Sequence, residues 1–295
     1  MIAIFGPTGV GKTEIAVELA GRLRERGEDP VAVSADAIAV YEGLDVLAAK
    51  PAAGTLEHRL VSCVPVDREF SAGQFAALAH AEIDALLAAG RTPIVVGGTG
   101  LYLRAALTEL DLRPPAERGL RTELERELAQ VGPSAMHERL SAATAATVHP
   151  NDRKRIVRAL ELELAGARPH TGSEQLWSEE LRRPAALFGI TMDRDELNRR
   201  LAARVDEMLG AGAVQEVETA LEQGASRTAR KALGFREIEA YLAGEASLEE
   251  ARDRIVRGHR AYVRRQLTWM RKAGGVEVID RTGLRARDVA ERIAR

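Results

Sequence analysis

Short apolar runs alternate with longer segments of helical periodicity in the first third of the chain. Residues 2–5, 31–34 and 94–96 are almost wholly apolar, which is typical of buried strands. Residues 12–26 and 75–89 instead repeat apolar positions at helical spacing, and a glycine closes each segment. Strands that alternate with helices in this way predict an α/β fold with a parallel sheet flanked by helices.

The pattern changes after residue 113. Residues 116–180 are strongly charged and helical in spacing, without a clear strand. Strand patterns return at 187–191 and 276–279, and the rest of this part is dominated by long helical patterns, at 195–222 and 247–273. We therefore predict a core formed by residues 1–112 and 186–295. Residues 113–185 are predicted to form a mostly helical insertion subdomain.

Residues 6–13, GPTGVGKT, match the phosphate-loop pattern G-x-x-x-x-G-K-[ST] between the first strand and the first helix. Such a loop wraps an anion with backbone N–H groups, and the helix offers its positive N-terminus. Lys12 would add a charge, and the Thr13 hydroxyl can ligate Mg²⁺. The motif predicts a P-loop NTPase-like fold that binds a diphosphate or polyphosphate. The predicted phosphate contacts are Gly6, Thr8, Gly9, Gly11, Lys12 and Thr13.

The identity of the phosphate ligand depends on a metal-binding acid. ATP or GTP is the usual ligand of such a loop, and hydrolysing enzymes place an acid after an apolar strand to hold the metal. Here the strand at 94–96 is followed by Gly97, Gly98 and Thr99, none of which is an acid. This sequence weakens the interpretation as a nucleotide hydrolase without excluding it.

Asp36 and Thr99 each follow a predicted strand. The carboxyl ends of parallel strands face a common ligand crevice, so we expect both side chains there. A carboxylate and a hydroxyl beside a diphosphate could orient and deprotonate an incoming nucleophile. The alternative is a helix N-cap for Asp36 and a turn residue at Thr99.

Charge and composition indicate a soluble globular protein that is no polycation. Hydrophobic residues make up 45% of the 295 residues, and the formal net charge is -2. A nucleic-acid surface would therefore depend on local basic clusters, which occur at 153–158 and 252–272. These clusters favour phosphate contacts, although a solvated basic face is the alternative.

Other features bear on the cellular setting. Cys63 is the single cysteine, so an internal disulfide is excluded. We expect no signal peptide, because residues 2–5 are needed as a strand, and no run of about eighteen apolar residues predicts a membrane span. We expect a cytoplasmic monomer without an obligate protein partner or membrane contact.

Several sequence motifs, distributed over nearly the whole chain, occur in the order that is typical of one protein family. Together they resemble the bacterial tRNA dimethylallyltransferases, also called isopentenyltransferases. The motifs are GPTGVGKT (6–13), SADAIAVYEGLDVLAAKP (34–51), HRL (58–60), FSAGQF (70–75), VVGGTGLYLRAAL (95–107), HPNDRKRIVRALE (149–161), KALGFREI (231–238) and RAYVRRQLTWMR (260–271).

The resemblance implies transfer of a dimethylallyl group from dimethylallyl diphosphate to a tRNA adenine just 3′ of the anticodon. Lys12 and Thr13 would hold the diphosphate and its Mg²⁺, Asp36 would be the general base on the exocyclic amine, and Thr99 would position that amine. The anticodon stem-loop would be the macromolecular partner. Further contacts to tRNA or diphosphate are expected from Lys50, Arg158, Arg257, Arg260 and Arg264.

The resemblance is not complete, and other functions stay open. This chain has Ala39 where the family usually has Gln, and Leu47-Ala48 where it usually has Gly-Thr. It has Ser62 in place of Asp and Arg264 in place of Lys. The first two departures bear on recognition of the acceptor more than on binding of the diphosphate. The alternatives are prenyl transfer to free AMP, ADP or ATP, a P-loop nucleotide kinase or ATPase, and a non-catalytic tRNA-binding protein. The insertion and the basic helix favour the large substrate.

Overall fold

The computed structural model describes residues 1–52, 54, 56–110, 119–167 and 180–295. The chain divides into two compact units, Met1–Leu110 with Glu179–Arg295 and Asp111–Ser178. The second unit overlaps the insertion expected at 113–185. The parts of that prediction at 113–118 and 168–179 lie outside the described residues.

In the described residues of the first unit, six strands form one parallel sheet in the order β3-β2-β4-β1-β5-β6. β1 lies between β4 and β5, where Ile4 is in register with Val96 and Phe188. The predicted parallel α/β fold is confirmed, and β3 is a two-residue strand that the pattern does not predict. The strands are β1 Ile2–Phe5, β2 Pro30–Ser34, β3 His58–Arg59, β4 Thr92–Gly97, β5 Ala186–Thr191 and β6 Val276–Asp280.

The helices follow the predicted periodicity, with ends set by local caps. The Ser71 hydroxyl accepts from the Gln74 N–H in a capping box, which starts the second long helix before the expected residue 75. Gly212, at φ 99°, divides the helix expected over 195–222. The helices are α1 Lys12–Glu25, α2 Asp45–Ala48, α3 Ala72–Ala88, α4 Gly100–Leu107, α5 Leu120–Glu138, α6 Ala142–Ala145, α7 Arg153–Leu164, α8 Arg194–Gly210, α9 Ala213–Glu222, α10 Phe235–Leu242, α11 Leu248–Lys272 and α12 Ala286–Ile293, with a 3₁₀ turn at Ala229–Lys231. None of the helices in the described ranges combines the length and apolar character needed to cross a bilayer.

The apolar face of α1 fixes the helix that follows the phosphate loop. Ile15 and Leu19 are fully buried against Ile4 of β1 and against Val289 and Ile293 of α12. Each such side chain contributes about 1.5–3 kcal/mol by leaving water. The N-terminus of α1 is therefore held at the carboxyl end of β1 by packing on both sides.

The second unit has its own small core. Leu124 and Met136 of α5 are buried with Ile156 and Leu160 of α7. α5 is kinked at Gly132, whose backbone leaves the helical region before a proline. These contacts give the helical unit apolar packing of its own.

Candidate active site

A cavity of about 640 Å³ lies at the carboxyl ends of β1, β2 and β4. The P-loop (residues 6–13), the turn after β2 and the segment after β4 line it, together with side chains from α8 and α11. Lys12, Thr13, Asp36 and Thr99, which the sequence assigned to one crevice, all lie on its surface. Ligand sites of open parallel sheets occur at this position.

The P-loop takes a conformation that depends on glycine. Gly9 and Gly11 both have φ +81°, a region that L side chains rarely adopt. Of the six predicted phosphate contacts, five line the cavity, whereas Gly6, the first residue of the loop, is buried and is not part of the lining. An added Cβ at Gly6 would lie 2.9 Å from the Ile190 carbonyl oxygen. Gly6 therefore serves close packing on β5.

Lys12 is a cation in a desolvated position. Its ammonium donates to the Pro7 carbonyl at 2.9 Å. Burial lowers the pKa of Lys12 to about 8, the negative charge of Asp36 opposes this change, and the positive charge of Arg204 adds to it. A bound anion would stabilise the charged form of Lys12, so the site is suited to a phosphate group.

Asp36 both shapes a turn and presents charge to the cavity. Its Oδ1 accepts from the backbone N–H groups of Ile38 at 2.8 Å and Ala39 at 3.2 Å. These bonds close a turn over residues 37–40 and fix the orientation of the carboxylate; they do not form the helix N-cap considered from sequence, because the next helix begins at Asp45. Asp36 still lines the cavity, and its charge favours the protonated forms of Lys12 and Arg204. The same carboxylate therefore closes the turn and faces a ligand in the cavity.

The Thr99 hydroxyl is oriented by a residue of α11. Thr99 precedes α4, but its side chain makes no capping bond to that helix. Its hydroxyl instead lies 3.1 Å from the Tyr262 hydroxyl. Burial and the nearby Asp36 charge raise the pKa of Tyr262 to about 12, so this phenol stays protonated at neutral pH.

Gln266 joins the P-loop to the segment after β4. Its Oε1 accepts from the Thr8 N–H at 3.0 Å, and its Nε2 donates to the Gly98 carbonyl at 2.8 Å. The side chain is 3% exposed, and an added Cβ at Gly98 would lie 2.4 Å from its Nε2. The Thr8 N–H, expected to face a phosphate, is thus occupied by Gln266. Gly98 leaves the space that this bridge needs.

Sequence reasoning missed several residues that line the cavity. The helical spacing of Tyr262 and Gln266, four residues apart on α11, was the available signal, because it places both on one face. Arg204 comes from α8, where burial lowers its pKa and Asp36 raises it. The missed polar side chains are Glu14, Ser34, His58, Arg204, Lys231, His259, Tyr262, Arg265 and Gln266.

His259 is a buried imidazole on the same helix face. Its Nδ1 lies 3.0 Å from the Ile255 carbonyl oxygen, which requires the proton on Nδ1. Burial lowers the pKa of His259 first, and the Arg204 charge lowers it further. The ring is therefore neutral at neutral pH, and it lines the cavity as an uncharged polar group.

The basic residues expected to contact tRNA or diphosphate lie in different places. Arg257, Arg260 and Arg264 are exposed on α11 and are not part of the cavity lining, whereas the neighbouring Arg265 is. Arg158 belongs to the second unit, where it donates to Glu161 at 3.1 Å. Within the first unit, the cavity lining therefore includes none of the three predicted arginines of α11.

Lys50 lines the cavity, but its ammonium is engaged within the protein. It contacts the Asp45 carboxylate at 2.5 Å and donates to the Ser62 hydroxyl at 2.8 Å and to the Tyr41 carbonyl. Ser62 holds a positive φ of 49°. Lys50 thus ties two loops together in this arrangement, and its predicted contact to a ligand is untested.

Apolar side chains line another part of the cavity. Ala39 and Leu47 are nearly fully buried there, with Ile38, Val61 and Leu233 beside them. Two departures from the family pattern, at Ala39 and at Leu47-Ala48, therefore fall on this apolar wall. Their side chains offer shape and no hydrogen bonds to a ligand.

A P-loop after the first strand of a parallel sheet, with a cavity at the strand ends, defines a P-loop NTPase-like fold. A family model described as IPP transferase matches residues 39–273, and the chain belongs to this family. The resemblance noted from the motifs is thereby confirmed.

Relatives and solved structures agree with this assignment. The chain is 42% identical to a tRNA dimethylallyltransferase of Thermobifida fusca, over 92% of this chain and 87% of the relative. It is 43% identical to one of Anaeromyxobacter dehalogenans, over 94% and 93%. A crystal structure of the full-length tRNA isopentenylpyrophosphate transferase from Bacillus halodurans superposes with a TM-score of 0.70 at 33% identity, covering 99% of this chain and 95% of that one. A eukaryotic dimethylallyltransferase acting on tRNA gives a TM-score of 0.75 at 25% identity, over 96% and 74%.

Proposed function

We propose that this protein transfers a dimethylallyl group from dimethylallyl diphosphate to the exocyclic amine of the adenosine 3′ of the anticodon in tRNA, releasing diphosphate. One observation carries the proposal: Asp36 and Thr99 line the same cavity as Lys12 and Thr13 of the P-loop. A base for the acceptor and donors for the leaving group thus share one space. The names of the relatives support the same substrates.

In the reaction, the amine nitrogen attacks the first carbon of the prenyl chain. The bond from this carbon to the diphosphate oxygen breaks, and diphosphate leaves with the electron pair. Asp36 accepts the proton that the amine loses, and Thr99, oriented by Tyr262, positions the amine. The carboxylate is held by the Ile38 and Ala39 N–H groups, so its geometry is set before the substrate binds.

Charge on the departing diphosphate would be stabilised by cations around the cavity, chiefly Lys12, Arg204 and Arg265. Mg²⁺ suits the donor set, because the oxygens of Thr13, Ser34 and Asp36 line the cavity and Mg²⁺ commonly combines one or two protein oxygens with phosphate oxygens. Thr13 would hold the ion. The ion would supply further charge neutralisation at the diphosphate.

The tRNA would bind in the cytoplasm to a monomer of this protein. Its target base is in an unpaired loop, which keeps the cost of moving the base into a cavity low. Exposed Arg257, Arg260 and Arg264 and the second unit, which carries Arg158, are the proposed contacts to the tRNA backbone.

The test is prenyl transfer from labelled dimethylallyl diphosphate with Mg²⁺. An unmodified tRNA with adenosine 3′ of the anticodon is offered beside AMP and ATP. We expect label on the tRNA alone. Label on AMP or ATP would instead support transfer to free nucleotides, and no label on any acceptor would contradict prenyl transfer.

A further inference from the structure

A buried arginine from the far end of the chain contacts the P-loop from outside the cavity. Arg281 follows β6 and is 3% exposed. Its Nη1 donates to the Val10 carbonyl, in the middle of the P-loop, and its Nη2 lies 3.6 Å from the Glu14 carboxylate. Its own backbone N–H donates to the Thr191 carbonyl at 3.0 Å, which fixes the start of the side chain on the sheet.

The loop leaves space for this guanidinium at one residue. An added Cβ at Gly11 would lie 1.9 Å from Arg281 Nη1, closer than two such atoms can approach. Gly11 also has a φ of +81°. The glycine therefore meets two requirements, the backbone turn and room for the arginine beneath it.

The contact with Val10 determines the direction of a neighbouring N–H group. The Val10 carbonyl and the Gly11 N–H belong to one peptide plane, and in a trans peptide they point in opposite directions. The structure contains no cis peptide bonds in its described residues. Because the carbonyl faces Arg281, the Gly11 N–H faces away from it, and Gly11 lines the cavity.

Arg281 is costly to bury, which argues against a passive role. Burial lowers its pKa first, and the nearby Arg200 charge lowers it further. Its Nε is buried without a hydrogen-bond partner among the described residues. Charged groups in such surroundings destabilise a fold unless their contacts compensate, and here the compensating contacts are with the P-loop and Glu14.

We propose that Arg281 is a positioning residue for diphosphate binding: it holds the Val10–Gly11 peptide with its N–H toward the ligand and adds positive charge behind the loop. This inference rests on the proposed function, in which the P-loop binds the diphosphate of the donor. Arg281 acts through the loop, because it is buried and is not among the residues that line the cavity.

The experiment compares Arg281→Met, which keeps the length of the stem, and Arg281→Lys, which keeps one donor and the charge. Calorimetry measures the binding of inorganic diphosphate with Mg²⁺, and steady-state kinetics gives KM separately for dimethylallyl diphosphate and tRNA. We expect Arg281→Met to weaken diphosphate binding about tenfold or more, the scale of a lost charge-assisted hydrogen bond, with the KM for tRNA unchanged. Arg281→Lys should recover part of the loss.

A control separates this role from general support of the fold. Ile293→Val removes one methylene from the core beneath α1 without touching the loop, and thermal unfolding is measured for every variant. Unchanged diphosphate affinity in folded Arg281→Met would overturn the inference, as would an affinity in Arg281→Lys no better than in Arg281→Met, or an equal rise in both KM values that matches the control. A wild-type chain that binds no diphosphate would overturn the proposed function itself, and this inference with it.

Discussion

Two walls of the cavity present different groups to a ligand, backbone of the P-loop on one and apolar side chains on the other. On the P-loop wall, hydrogen bonds from distant segments fix the backbone: Gln266 bonds Thr8, and Arg281 bonds Val10. On the apolar wall, packing positions the side chains of Ala39 and Leu47, whereas their backbone N–H groups donate to the Asp36 and Glu216 carboxylates. Hydrogen bonds fix direction as well as distance, whereas packing fixes volume.

The difference teaches where this chain can vary. A diphosphate presents the same oxygens in every reaction of this kind, so its wall needs donors at set positions. The departures from the family pattern at Ala39 and Leu47-Ala48 lie on the apolar wall, whereas the P-loop motif is complete. If the two walls serve different substrates, a substitution on the P-loop wall should change the kinetic constants for dimethylallyl diphosphate. A substitution on the apolar wall should instead change those for tRNA.

Asp36 lies between the walls, and its loss should have the largest effect. Asp36→Ala removes the base, so we expect turnover to fall by roughly two to four orders of magnitude, the usual contribution of general-base catalysis. Binding of tRNA, measured separately by filter retention, should change little. An equal loss of tRNA affinity would contradict the assignment of Asp36 as the base. Asp195→Ala, on an exposed carboxylate of α8 outside the cavity lining, is the matched control.

The sequence predicted the parts of the site that are local or depend on strand ends. The P-loop is one contiguous motif, and Asp36 and Thr99 follow predicted strands, so their meeting in one crevice follows from the topology of a parallel sheet. Gln266 was beyond such reasoning, because its partner Thr8 is 258 residues away. No local pattern states which part of the sheet a distant helix crosses.

Helix α11 shows the same limit of sequence-based prediction for individual side chains. Its apolar residues at helical spacing share one face, where Val256, Val263 and Met270 are buried and Leu267 is half-buried. Several arginines occupy the remaining surface of the helix. Arg264 and Arg265 are both exposed, but only Arg265 lines the cavity, because of the direction in which the cavity lies. Tertiary packing supplies that direction, and one sequence does not.

The P-loop wall should respond to pH through Lys12. Its pKa of about 8 means that the ammonium is charged below this pH and loses its proton above it. We expect kcat/KM for dimethylallyl diphosphate to fall toward about tenfold per pH unit above pH 8, while the KM for tRNA stays flat. Lys12→Arg keeps its charge over this range and should abolish the pH dependence, whatever its absolute rate. A decline that persists in Lys12→Arg would assign the titration to another group.

The apolar wall should respond to volume. Ala39→Leu adds three carbons beside Asp36, and overfilling a packed site typically costs about 1–3 kcal/mol. We expect the KM for tRNA to rise about tenfold while the KM for dimethylallyl diphosphate stays within about twofold. Ala203→Leu makes the same change at an exposed position of α8 and should alter neither constant. A rise in the donor KM alone would reverse the assignment of the walls.

The smallest effect is expected from a change at Tyr262, whose hydroxyl orients Thr99. Tyr262→Phe removes the hydroxyl that lies 3.1 Å from Thr99 Oγ1 and keeps the ring. The loss of one neutral hydrogen bond, about 1 kcal/mol, should lower kcat about fivefold and leave both KM values nearly unchanged, because positioning matters most in the transition state. Tyr241→Phe, on α10 and away from the cavity lining, is the control. An intact kcat with a raised KM for tRNA would mean that Tyr262 binds the acceptor directly, and Thr99 would then need another source of orientation.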